Sequence, residues 1–170
     1  MRDHMVAELF EYEGVGVAIR HGLLTVVYAA DARAHRSAWV FDRAEEILAE
    51  HDHVYCLLIV DTKQGLPDAA TRAENARRFR KAGTKLRFLV MVPLGDPLRV
   101  ILVKAVLRTM VLVLGDSDRH CIAASEADGI LKIRKAMGTD APPKEELEDD
   151  LIGIRELLRG SLTMRRVEAV

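Results

Sequence analysis

From Val54 to Val60 the chain reads VYCLLIV, an apolar run without interruption, and Asp61 closes it. A run of this length with no polar alternation predicts a central strand covered on both faces. The turn Lys63-Gln64-Gly65 follows. Asp68 then stands as an N-cap ahead of a charged, alanine-containing segment of strong helix formers. Strand, loop and helix N-terminus together form a common location for a functional site in α/β folds.

The flanking patterns extend this picture. Val6–Phe10 carries a weak strand signal. Val15–Arg20 and Leu23–Ala29 are β-rich and are separated by His21-Gly22, a two-residue hairpin signal. Gly14-Val15-Gly16 has neither a lysine nor a helix behind it, so it reads as the start of a strand or a bulge rather than a phosphate loop. Asp31–Glu50 places Ala38, Phe41, Ala44, Ile47 and Leu48 on one helical stripe. The helix predicted over Asp68–Ala82 has a thin face of small residues, Ala69, Ala73 and Ala76, with Phe79. Leu86–Val92 is a second buried strand. Asp96 and Pro97 open a helix to Leu114 that is apolar around most of its circumference. A short strand, His120–Ala124, precedes a helix from Glu126 to about Met137, opened by a capping-box-like Ser125-Glu126-Ala127-Asp128.

GTDAPPK, residues 138–144, is the one shift in composition that reads as a linker, and Pro142-Pro143 stops any continuing helix. The expected organisation is a domain over 1–137, then this linker and a C-terminal amphipathic helix within 138–170. In that helix Leu147, Leu151, Ile154 and Leu158 form a narrow seam. The seam has three possible occupants: its own domain, a second copy, or a partner. It is carried forward as an oligomer or partner helix.

Composition narrows the function classes. The 170 residues carry a formal net charge of -1, with 49% apolar and 30% charged residues, ordinary values for a globular protein. Bulk charge predicts no nucleic-acid or membrane partner. The N-terminal segment lacks the apolar region of a signal peptide, Arg99, Lys104 and Arg108 interrupt the most apolar helix, and a cytoplasmic protein is expected. Cys56 and Cys121 lie in strand-like surroundings and are expected as free buried thiols. His51-Asp52-His53 lacks a convincing third ligand, so no metal and no cofactor are expected. Asp61, Asp68, His120 and Cys121 are the polar candidates near strand ends, and no pair of them has a diagnostic spacing; an enzyme is not expected.

The order of elements, with alternating strands and helices after a hairpin, predicts an α/β fold with a mixed or parallel sheet of about five strands and helices packed on it. Five segments carry a resemblance: GLLTVVYAA, AEEILAEH, LLIVDTKQGLPDAATRAENARRF, LRFLVMVPLGDPLRVILVKAVLRTM and CIAASEADGILKI. Over Phe10–Met137 the chain resembles the STAS domain superfamily, and more closely the stand-alone SpoIIAA-like proteins of myxobacteria and their relatives. The resemblance implies a regulatory interaction module. In anti-sigma-factor antagonists a regulatory serine sits at the N-terminus of the helix after the central strand. Here the matching stretch is Asp68-Ala69-Ala70, and Thr62 and Thr71 are the nearby hydroxyls, so the phospho-switch is expected to be absent.

The expected function is therefore a non-catalytic protein–protein interaction module. Its surface would comprise Thr62, Lys63, Asp68, Thr71, Arg72, Arg77, Arg78 and Lys81, the last four from the densest basic cluster in the chain. A protein partner and a homodimer are expected. Two alternatives stand: binding of an anion, nucleotide or lipid at the carboxyl ends of the strands, and association of helix 97–114 with a membrane surface.

Overall fold

A computed structural model of the chain describes residues 6–61, 63, 67–114 and 117–168. Its six strands are β1 (Glu8–Tyr12), β2 (Val15–Arg20), β3 (Leu23–Tyr28), β4 (Val54–Asp61), β5 (Leu86–Leu94) and β6 (His120–Ile122). Its helices are α1 (Ala34–Glu50), α2 (Ala69–Ala82), α3 (Pro97–Leu114), α4 (Glu126–Met137) and α5 (Lys144–Glu168). The strands lie in chain order across one sheet; the first three are antiparallel neighbours and β3 to β6 run parallel.

The sheet has six strands where about five were expected. The least distinct of them, β1, lies where only a weak signal was read over Val6–Phe10, and it pairs on one side only. Both hairpins turn through two residues of positive φ: Glu13 (48°) and Gly14 (86°), then His21 (46°) and Gly22 (74°). Turns of this kind match the right-handed twist of the flanking strands.

Three successive parallel crossovers advance in the same direction across the sheet. Right-handed crossovers then place α1, α2 and α3 on one face. The opposite face receives α4 and α5. The alternation of β4 divides between the two: Val54 and Cys56 belong to the core under α1–α3, Leu57 and Ile59 to the core under α4 and α5. A bulge where Val54 opposes Leu86 but Tyr55 opposes Phe88 leaves Arg87 over, and this keeps β5 in step with both faces.

The two helical layers pack differently. On the α4–α5 side Ile130, Ile133, Leu147, Leu151, Ile154 and Leu158 are each no more than 4% exposed. On the other side the stripe predicted for α1 is only partly buried apart from Ile47, and α2 buries Thr71 alone among its residues.

The placement of α5 corrects the reading of its seam. Leu147, Leu151, Ile154 and Leu158 join the core of their own chain, against β2, β3 and α4, and offer nothing to a partner. The reason is geometric: without α5 the apolar face of β1–β3 would be open to water. Gly16 makes the approach close, because a Cβ there would stand 2.3 Å from Ile154 Cγ2. A buried ion pair adds a polar anchor, with Arg20 bound to Asp150 and Glu146. The core thus runs across residue 138, where the composition changes.

Candidate functional site

Between the sheet and α1–α3 lies a cavity of about 660 Å³. Its floor is Cys56, Leu58 and Met91, its walls include Val40 and Ala44 of α1 and Phe79 of α2, and Val103 and Val106 of α3 close it. Phe41, Ala44 and Leu48 of the stripe predicted for α1 face this space instead of filling it; of the face predicted for α2 only Phe79 lines it, while Ala69 and Ala73 are exposed. It follows the face of β4 from Val54 to Val60 and extends to Ala30, Ala32 and Pro67, beside the carboxyl ends of β3 and β4 where the alternative reading placed a ligand site.

The volume falls within the range of ligand sites, roughly 300–1,000 Å³. A sealed, dry void of this size would cost on the order of 15 kcal/mol by the cavity rule, comparable to the whole stability of a domain, about 5–15 kcal/mol. The cavity is not sealed. Arg77 and Lys81, 63% and 69% exposed, lie on its lining and mark its mouth between α1 and α2.

Few polar groups reach the interior. The Tyr28 hydroxyl lies 3.5 Å from Ser37 Oγ, a weak contact, and burial pushes the Tyr28 phenol up to about 12. Burial also pushes the Cys56 thiol up to about 12, which keeps it protonated and poorly nucleophilic. Asn75 Oδ1 is buried without a hydrogen-bond partner, an acceptor that a ligand donor could satisfy. Among the described residues no group of three or more His, Cys, Asp or Glu could hold a metal ion.

The mouth carries the basic cluster, but not as free charge. Glu74 accepts from Arg77 at 2.7 and 2.8 Å and from Arg78 at 2.9 Å, which holds its carboxyl down at about 2. Two pairs join α2 to α1: Arg78 to Asp42 at 3.6 Å and Lys81 to Glu45 at 3.0 Å. Asp42 and Glu45 line the cavity as well. The rim is therefore a row of exposed ion pairs, each contributing roughly 0–1 kcal/mol and weakened by salt. Lys85, next to the same rim, has no carboxylate within ion-pair distance among the described residues.

The remaining predicted residues divide. Asp68 caps α2, accepting from the Thr71 backbone N–H at 2.7 Å; that bond and a second from the Thr71 hydroxyl lower its pKa. The N-terminus of α2 thus holds its own carboxylate, where an external anion would have to bind. Thr71 is 2% exposed, which corrects its assignment to a docking surface: the first turn of α2 turns its side chain inward. Arg72 donates to the Pro67 carbonyl at 2.7 Å. Lys63 is exposed, and its carbonyl accepts from Arg99 of α3 at 3.3 Å. Thr62 lies outside the described residues.

Sequence reasoning missed the cavity. The signal available was the pairing of small residues, Ala44 and Ala49 on α1 with Ala82 on α2. Small side chains are as compatible with close packing as with empty space, so composition alone could not decide. No family model matches the chain, and neither a curated protein nor a solved structure matches it at a significant level.

Proposed function

We propose that the protein is a non-catalytic binding protein that takes a small, largely apolar molecule with a polar or charged end into the space between the sheet and α1–α3. The observation that carries this reading is the 660 Å³ cavity, with its apolar walls and its charged mouth. An apolar chain would cover Cys56, Leu58 and Met91 and remove their surface from water, at about 25 cal/mol per Å². The charged end would stay at the rim, where Lys85 and the easily parted pairs Arg78–Asp42 and Lys81–Glu45 can receive it. The test is titration with cis-parinaric acid, whose fluorescence rises in an apolar site. The wild type is expected to bind it saturably, and Ala44→Phe, which fills the cavity, is expected to weaken binding by about tenfold or more. Equal binding by the variant, or none by the wild type, defeats this reading.

A second reading keeps the STAS-like interaction module. It is supported by the alternation of parallel strands and helices from β3 to β6 and by the exposure of Lys63, Arg77 and Lys81. The carboxylates that pair the α2 cations reduce the positive field such a surface would present. If it docks an acidic protein, Arg77→Glu with Arg78→Glu weakens capture of that partner; undiminished capture removes α2 from the interface.

A further inference from the structure

Among the described residues the outer face of α3 gathers three of the five most exposed large apolar side chains on one helix. Leu98, Ile101 and Leu102 are 72%, 63% and 60% exposed, and Ala105 is exposed beside them. Their spacing of i, i+3, i+4 and i+7 puts all four on one stripe, opposite Val103 and Val106, which face the cavity. Lys104 and Arg108 border the stripe on one side, whereas Arg99 shares the helix face of Val103 and Val106 and donates to the Lys63 carbonyl at 3.3 Å. Residues 97–114 hold these three cations and no Asp or Glu. Among the described residues no helix is long and apolar enough to cross a membrane.

We infer that α3 docks on an anionic lipid surface, with Leu98, Ile101 and Leu102 inserted at the headgroup level and Lys104 and Arg108 against the lipid charges. An apolar stripe edged by cations on a single helix is the pattern of an interfacial helix lying in the membrane plane. Charge decides against a second copy of the chain. A two-fold contact along α3 would bring Lys104 and Arg108 from each copy to one seam, and the helix supplies no carboxylate to pair them. The exposed strip amounts to a few hundred Å², short of the roughly 800 Å² per partner typical of a stable dimer. An anionic surface satisfies the apolar stripe and its cationic edge together. The inference stands apart from the cavity reading, since vesicle binding requires no cavity ligand and parinaric acid titration requires no vesicle.

The experiment is co-sedimentation of the full chain with vesicles of phosphatidylcholine alone and of phosphatidylcholine mixed with phosphatidylglycerol. The wild type is expected to bind the mixed vesicles and to be released by salt. Ile101→Glu with Leu102→Glu lies at exposed positions, so the circular dichroism spectrum and melting temperature should be retained while binding falls by at least about tenfold. Arg108→Gln should weaken binding roughly fivefold. Failure of the wild type to bind mixed vesicles at low salt would overturn the inference, as would equal binding to phosphatidylcholine alone. A dimer in sedimentation velocity that the Ile101→Glu, Leu102→Glu variant dissociates would overturn it in favour of a second copy.

Discussion

Arg20 on the second strand holds Asp150 on the last helix through two parallel hydrogen bonds, Nε to Oδ2 at 2.9 Å and Nη2 to Oδ1 at 2.7 Å. Both side chains are buried, 8% and 5% exposed, and Glu146 adds a third contact to Arg20 at 2.6 Å. The pair raises the Arg20 pKa, first through the Asp150 hydrogen bond, so the guanidinium is charged in the folded protein. Removing one partner of a buried pair leaves the other charge uncompensated. Asp150→Ala is expected to destabilise the protein by about 3 kcal/mol in urea unfolding. Glu146→Gln, at a more exposed position, is expected to cost about 1 kcal/mol or less.

Gly16 sits where α5 comes closest to the sheet. A methyl group there would overlap Ile154 Cγ2 and press on Leu158 at 3.2 Å. Gly16→Ala is expected to lower stability by about 1–3 kcal/mol through overpacking. Pairing it with Ile154→Leu, which lacks the β-branch methyl Cγ2 at the point of overlap, should restore part of the loss in the same unfolding assay.

If α5 belongs to the core, a chain ending at Pro143 should not behave as a folded domain. Leu23, Val27 and Ala18 would lose the helix that covers them. The expected result is loss of the cooperative thermal transition and aggregation. A shortened chain that melts cooperatively near the temperature of the intact one would show that α5 is dispensable.

Alkali is expected to weaken the fold. Cys56, ordinarily near 9, and Tyr28, ordinarily near 10, are both pushed up to about 12 by burial. Between about pH 9 and 12 the unfolded chain has therefore given up protons that the folded chain keeps, so stability falls as pH rises through this window. Melting temperatures from pH 8 to 11 should show the decline. Tyr28→Phe should flatten its upper part, while the loss of the 3.5 Å contact with Ser37 costs little at neutral pH.

Much of the fold was legible locally. The apolar run Val54–Val60 became β4, His21-Gly22 became a hairpin, and Asp68 and Ser125 became N-caps for α2 and α4. Each of these signals lies within a few neighbouring residues, where backbone geometry and side-chain type act together. The seam Leu147, Leu151, Ile154 and Leu158 was equally visible as a pattern, but a pattern does not name what it packs against.

The sequence by itself determined which segments form strands and helices, and their starts to within a few residues: β1 begins at Glu8 rather than Val6 and α1 at Ala34 rather than Asp31. Only the tertiary structure decided how the faces of those segments combine. Arg20 and Asp150 are 130 residues apart, and Lys81 meets Glu45 across 36. Of the basic residues that read as an open charged face on α2, Arg77, Arg78 and Lys81 are paired with carboxylates of α1 and α2. The cavity lies at the same level of description. It arises from the spacing between a sheet and three helices, and a volume left between elements has no residues of its own for a pattern to record.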